Sequence, residues 1–242
     1  MANATGRELF HKQNLDLVLQ QIFNNKIISR IDISRTLNLN KSTVSALYNE
    51  LDEKGILKEV GSGESTSAGG RKPVLVKINE RYGYTMNFDL GYRHLHVMGN
   101  YINGEVFYYQ RIELGSRDIH KILEMIDNQI KLASQSNQTK HGLLGIGFSI
   151  HGIVQDNQVI NSPFIDMDGV DLADHYSNEY HVPVILENEP ISLVFTNGIL
   201  MMARIRTTLL RLASIKVSGL GSFLINSYIG ASMVKRVKLV AP

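Results

Sequence analysis

The sequence predicts two unlike folds in one chain: an α+β winged helix-turn-helix over residues 1–80, followed by an α/β lobe. Three observations predict it. Apolar residues recur at helical spacing in three successive segments up to Lys54. Period-two alternation then flanks a Gly- and Ser-rich stretch and ends at Ile78, and from Tyr84 strand-like and helix-like segments alternate.

The first helix is predicted over residues 14–24, where Leu15, Val18, Leu19, Ile22 and Phe23 make one apolar face. The second starts at Ser29, whose hydroxyl is placed to cap Asp32, with Ile28 and Ile33 forming a hydrophobic staple across the cap. It ends near Leu37. Asn38, Leu39 and Asn40 make the turn into a third helix over residues 41–54, which Gly55 closes in the left-handed region.

On the third helix Val44, Leu47 and Leu51 share a core-facing side, which leaves Lys41, Ser42, Thr43, Ser45, Ala46 and Asn49 outward. Short polar side chains at a helix N-terminus suit phosphates and base edges in a major groove, so double-stranded DNA is the expected partner. Strands are predicted over residues 56–60 and Val74–Ile78. Between them Gly69-Gly70-Arg71-Lys72-Pro73 puts Arg71 and Lys72 at the tip of a wing, where a minor groove or a phosphate would be met. Up to Ile78 there are 11 basic and 8 acidic residues, a modest excess that fits a few placed contacts.

In the second part, Tyr84–Leu90, residues 95–100 and residues 105–109 read as a β-meander, with short turns at Gly91 and at Asn103-Gly104, the latter a type I′ signal. An amphipathic helix over residues 119–134 and an apolar strand over Leu143–Ile150 follow. His94 and His96 share a strand face but have no third ligand nearby, so they are read as strand histidines and no metal site is expected. The 242 residues have room for two modest domains. With no cysteine there are no disulfides, thiolate zinc sites or cysteine nucleophiles. There is no run of about eighteen apolar residues and no apolar signal core, so a cytoplasmic protein without a membrane partner is expected.

The wing sequence is followed in order by Asp89-Leu90-Gly91, Gly145-Ile146-Gly147-Phe148-Ser149-Ile150-His151-Gly152, Asn161-Ser162-Pro163 and Glu187-Asn188-Glu189. Together these resemble the repressor branch of the ROK family (repressors, open reading frames and kinases). The resemblance implies a DNA-binding head and an α/β ribonuclease-H-like (actin-like ATPase) sugar-sensing domain, here incomplete, over residues 81–190. It further implies a homodimer on a palindromic operator, released by a small sugar, xylose or glucose, with no cofactor. It carries over His151, Gly152, Asn161, Asn188 and Glu189 as sugar-binding residues.

The departures argue against catalysis. Where the family's kinases have a glycine and a threonine after Asp-x-Gly, Tyr92 and Arg93 stand here, too bulky for a phosphate cradle. Glu189 stands where the kinases carry an aspartate base, and one extra methylene displaces a carboxylate by more than about 1 Å. The kinases' cysteine-rich zinc site is absent. All 23 acidic residues lie at or before Glu189, while the 53 residues from Pro190 onward carry seven Lys and Arg and no acid. This composition break points to a shifted reading frame near Pro190, with a genuine basic tail over residues 191–242 as the alternative.

Overall fold

The structure, a computed structural model, describes residues 6–63 and 72–188. The composition break, Arg71 and Glu189 lie outside the described residues.

Helix α1 spans Gly6–Asn25 and buries Leu15, Val18, Leu19 and Ile22. It starts eight residues before the position predicted from its apolar face. Residues 6–11 are all exposed, so the added turns carry no core-facing stripe for periodicity to detect; His11 Nε2 lies 2.9 Å from Glu50 Oε2. A two-residue strand that the sequence did not signal, β1 (Ile28–Ser29), leads into α2 (Arg30–Leu37). Ser29 Oγ accepts from the Asp32 amide at 3.2 Å and donates to its carboxylate at 2.6 Å, while Ile28 and Ile33 are buried beside it. Asn38 ends α2 at φ 52° and the Leu39 amide donates to the Ser34 carbonyl, which turns the chain into α3 (Lys41–Glu53). Gly55 (φ 74°) closes α3: its amide bonds Asp52 and that of Ile56 bonds Leu51, a Schellman pair. Since Ile56 is engaged there, β2 begins one residue later than predicted and runs over Leu57–Ser62, with a bulge between Glu59 and Gly61. With β3 (Val74–Ile78) it completes a sheet in the order β1-β3-β2.

The second part is a mixed five-stranded sheet made of β4 (Tyr84–Leu90), β5 (His94–Tyr101), β6 (Val106–Glu113), β7 (Leu143–Ile150) and β10 (Val184–Asn188). Its order is β10-β7-β4-β5-β6, with β10, β7 and β4 parallel and the meander antiparallel. α4 (Ile119–Gln135) and α5 (Leu172–Tyr180) pack on one face, where Ile122, Ile126 and Tyr176 meet Met86, Phe88, Ile146, Phe148 and Leu186. A small hairpin, β8 (Ile153–Gln155) and β9 (Gln158–Asn161), follows β7.

The β5–β6 turn is not type I′. Asn103 is not in the left-handed region and only Gly104 is, at φ 88°. The Gly104 amide donates to the Tyr101 carbonyl at 2.8 Å, and the register slips by one residue between Gly99 and Asn100, so the loop is the three-residue, bulged kind. Ile102 of that turn is buried in the core formed by Leu15, Val44, Leu51 and Val76. Two successive left-handed residues occur instead at Asp156 (φ 50°) and Asn157 (φ 64°), in the β8–β9 hairpin.

Candidate functional site

Two regions gather the residues singled out above. The first is the outer side of α3, where Val44, Leu47, Tyr48 and Leu51 face inward, Lys41, Ser42 and Asn49 are exposed, and Thr43 and Ser45 are half-buried. Asn40 makes no side-chain cap and the first turn holds no acid, so the leading amides and the positive end of the helix dipole are left for an outside acceptor. Tyr48, which the sequence reading did not place, ties α3 to β2: its hydroxyl donates to Glu59 Oε1 at 3.1 Å. Burial first, then the charges of Asp52 and Glu59, push that phenol up to about 12. Beyond α3, Lys72 is exposed, but the Gly63 amide donates to the Pro73 carbonyl at 2.8 Å and closes the base of the β2–β3 loop, so Lys72 stands beside that base and not at the expected tip.

The second region is the carboxyl end of the parallel strands. The His151 amide donates to the Leu90 carbonyl, joining the ends of β7 and β4, and the His151 ring stands edge-on to Phe164 at 4.7 Å. Gly152 passes so close to β9 that a Cβ there would lie 2.2 Å from the Asn161 carbonyl oxygen. His151, Gly152 and Asn161 therefore meet at one corner, with the Asn161 side chain exposed. Asn188 reaches the same corner but is already engaged: its Oδ1 accepts from the Val154 amide and its Nδ2 donates to the Val154 carbonyl, so here it anchors β8 to β10. At the β4–β5 turn Tyr92 packs edge-on to Phe164 at 4.7 Å, with the Arg93 and Arg117 guanidiniums 5.6 and 5.7 Å from its ring centre.

A polar row also crosses the sheet. In register from edge to edge stand Arg111, His96, Asp89, Ser149 and Glu187. Strand pairing makes this row, so spacing along the chain gives no view of it, although the alternation of Thr85, Asn87 and Asp89 was a local sign. His96 bonds the Tyr109 hydroxyl at 3.0 Å, and burial holds its imidazole below the ordinary value, against the pull of Asp89. His94 lies beside Arg111 Nη2, 3.1 Å from Nε2. Among the described residues no three His, Asp or Glu side chains converge as metal ligands would.

Residues 85–201 match the model of the ROK family. The chain carries a ROK family domain. The xylose repressor of Lactiplantibacillus pentosus is 48% identical over 184 residues, which cover 76% of this chain and 47% of that protein. Those of Staphylococcus xylosus and Bacillus subtilis are 43% and 33% identical, covering 73% and 74% of this chain and 46% of each. The chain thus spans about half the length of the curated relatives it matches. Among solved structures, a ROK family transcriptional regulator described as a homologue of the Escherichia coli MLC protein superposes with a TM-score of 0.58 at 20% identity, over 74% of this chain and 46% of that one. That likeness shows the fold: the meander, α4, β7 and β10 are arranged as in an actin-like ROK domain. The family match runs on to residue 201, past the composition break at Pro190.

Proposed function

We propose that this chain belongs to a sugar-responsive transcriptional repressor whose residues 1–80 are a winged helix-turn-helix that reads operator DNA. The observation that carries the reading is the uncapped, acid-free N-terminus of α3 with Lys41, Ser42 and Asn49 exposed around it, ahead of a hairpin whose loop carries Arg71 and Lys72. Relatives named xylose repressors support it. In this reading Lys41, Ser42, Thr43, Ser45 and Asn49 face the major groove and Arg71 and Lys72 the minor groove or the backbone. The effector is a small sugar, xylose or glucose, met by His151, Asn161 and Glu189, while Gly152 and Asn188 hold the corner in shape. A homodimer on a palindromic operator follows from the same reading, with the chain acting in the cytoplasm; no helix among the described residues is long and apolar enough to cross a membrane. Tyr92 and Arg93 fill the turn where a phosphate cradle needs small residues, which favours sensing over phosphoryl transfer.

The test is a gel shift on a palindromic operator, with and without xylose or glucose. Retarded DNA released by one of the sugars is expected. Consumption of ATP with sugar and no retarded DNA is the result that overturns the reading. Arg71→Ala should weaken operator binding by roughly tenfold, since a charge-assisted contact is worth about 1.5 kcal/mol or more. Undiminished binding would remove the wing from the interface.

A further inference from the structure

We propose that Arg30, at the start of α2, is a DNA-phosphate clamp held in position by the ring of Tyr48. The proposal rests on the DNA-reading function above and names a contact outside α3 and the wing. Arg30 is fixed at both ends. Its backbone follows Ser29, which caps α2 through Asp32 and pairs with Leu75 of β3. Its guanidinium lies over the Tyr48 ring, 4.6 Å from the centre, and that ring is itself buried and bonded to Glu59. A stacked guanidinium keeps its in-plane N–H groups free to donate, and the stacking removes side-chain freedom before any ligand arrives.

The donors have no described acceptor. Among the described residues Arg30 makes no ion pair and no hydrogen bond, whereas Arg35 pairs with Asp32, Lys54 with Glu50, and Lys58 and Lys77 with Glu80. Position supplies the ligand class. Tyr48 lies on α3 one turn after Ser45 and beside Asn49, so the guanidinium flanks the surface proposed to enter the major groove. A planar fork of donors at the border of such a surface matches a backbone phosphate, whose oxygens accept two N–H groups side by side.

A phosphate contact carries no sequence information, so the full chain can be tested on a duplex of mixed sequence by fluorescence anisotropy across a salt series. Arg30→Gln should weaken binding roughly tenfold at low salt and lower the slope of log affinity against log salt by about one. Arg30→Lys keeps the charge, so the slope should stay while affinity falls severalfold with the loss of the stacked fork. Wild-type binding with an unchanged slope in Arg30→Gln overturns the clamp alone. A lysine variant that binds as tightly as the wild type overturns the part assigned to Tyr48. A wild-type chain with no salt-dependent duplex binding overturns the DNA-reading function, and the clamp with it.

Discussion

A Cβ on Gly152 would lie 2.2 Å from the Asn161 carbonyl oxygen and 3.1 Å from the Ser162 Cα, both backbone atoms that cannot swing aside. Gly152→Ala should therefore push β9 away from the end of β7 and cost about 2 kcal/mol or more, read as a lower midpoint in urea. A midpoint unchanged from wild type would mean that β9 yields at that corner without cost. Glu50 governs a different property. Burial alone would raise its carboxyl, but Lys54 at 2.7 Å and His11 at 2.9 Å outweigh that and hold it below the usual carboxylate range. With the folded value below the unfolded one, its stabilisation is complete above the ordinary carboxylate range and is lost as pH falls through the folded value. Glu80, which burial would raise, is lowered on balance by its own amide, Lys77 and Lys58 and adds to that acid limb. Glu50→Gln should flatten the fall in Tm on acidification while costing about 0.5 kcal/mol at neutral pH, since the pair is partly solvated. An acid limb as steep as in the wild type would show that other carboxylates set it.

At the scale of the element, α2 is held by its ends. Its eight residues bury only Ile33, so the cap at Ser29 carries an unusual share of its stability. Ser29→Ala should cost about 1 kcal/mol, and because Ser29 is also buried and paired to β3, the loss should appear in global unfolding rather than as local fraying. Fraying confined to α2 amides in hydrogen exchange is the contrary result. This cap was plain in the sequence because a capping hydroxyl and its staple sit within five residues of one another. The apolar faces of α3 and α4 were plain for the same reason, as their period is local. What the sequence hid depends on partners far along the chain. The first turns of α1 have no buried face, β6 outran its predicted end at Tyr109 because pairing with β5 continues to Glu113, and the register slip that makes the Asn103-Gly104 turn a bulged one exists only once β5 and β6 pair. The corner of His151, Gly152 and Asn161 was legible as motifs, whereas the engagement of Asn188 by Val154 and the row from Arg111 to Glu187 exist only once strands are paired.

At the scale of the whole molecule, the expected boundary at residue 80 is crossed by packing. Ile102, from the tip of the β5–β6 hairpin, and Leu144, from the start of β7, are 5% and 3% exposed and belong to the same core as Leu15, Val44, Leu51 and Val76. A Cβ on Gly104 would come within 3.0 Å of the Phe23 ring of α1. The joining segment is fastened on both sides: the Asn79 amide bonds the Ile56 carbonyl, while the carbonyls of Arg81 and Tyr82 accept from Lys140 and His141. The three helices thus finish their core with two side chains borrowed from the sheet. One of them starts β7, whose other end leads into His151, about seven residues or roughly 23 Å away along an extended strand. Strand β7 is accordingly a short, stiff path between the proposed effector corner and the proposed DNA-reading head. If the two parts share a core, they share an unfolding transition. Leu144→Ala, on the sheet side of the boundary, should cost about 3 kcal/mol and reduce the hydrogen-exchange protection of α3 amides along with those of β7. Protection lost in β7 while α3 stays as protected as in the wild type would mean that the head stands on its own core, and that a signal from the sheet must reach it by another route.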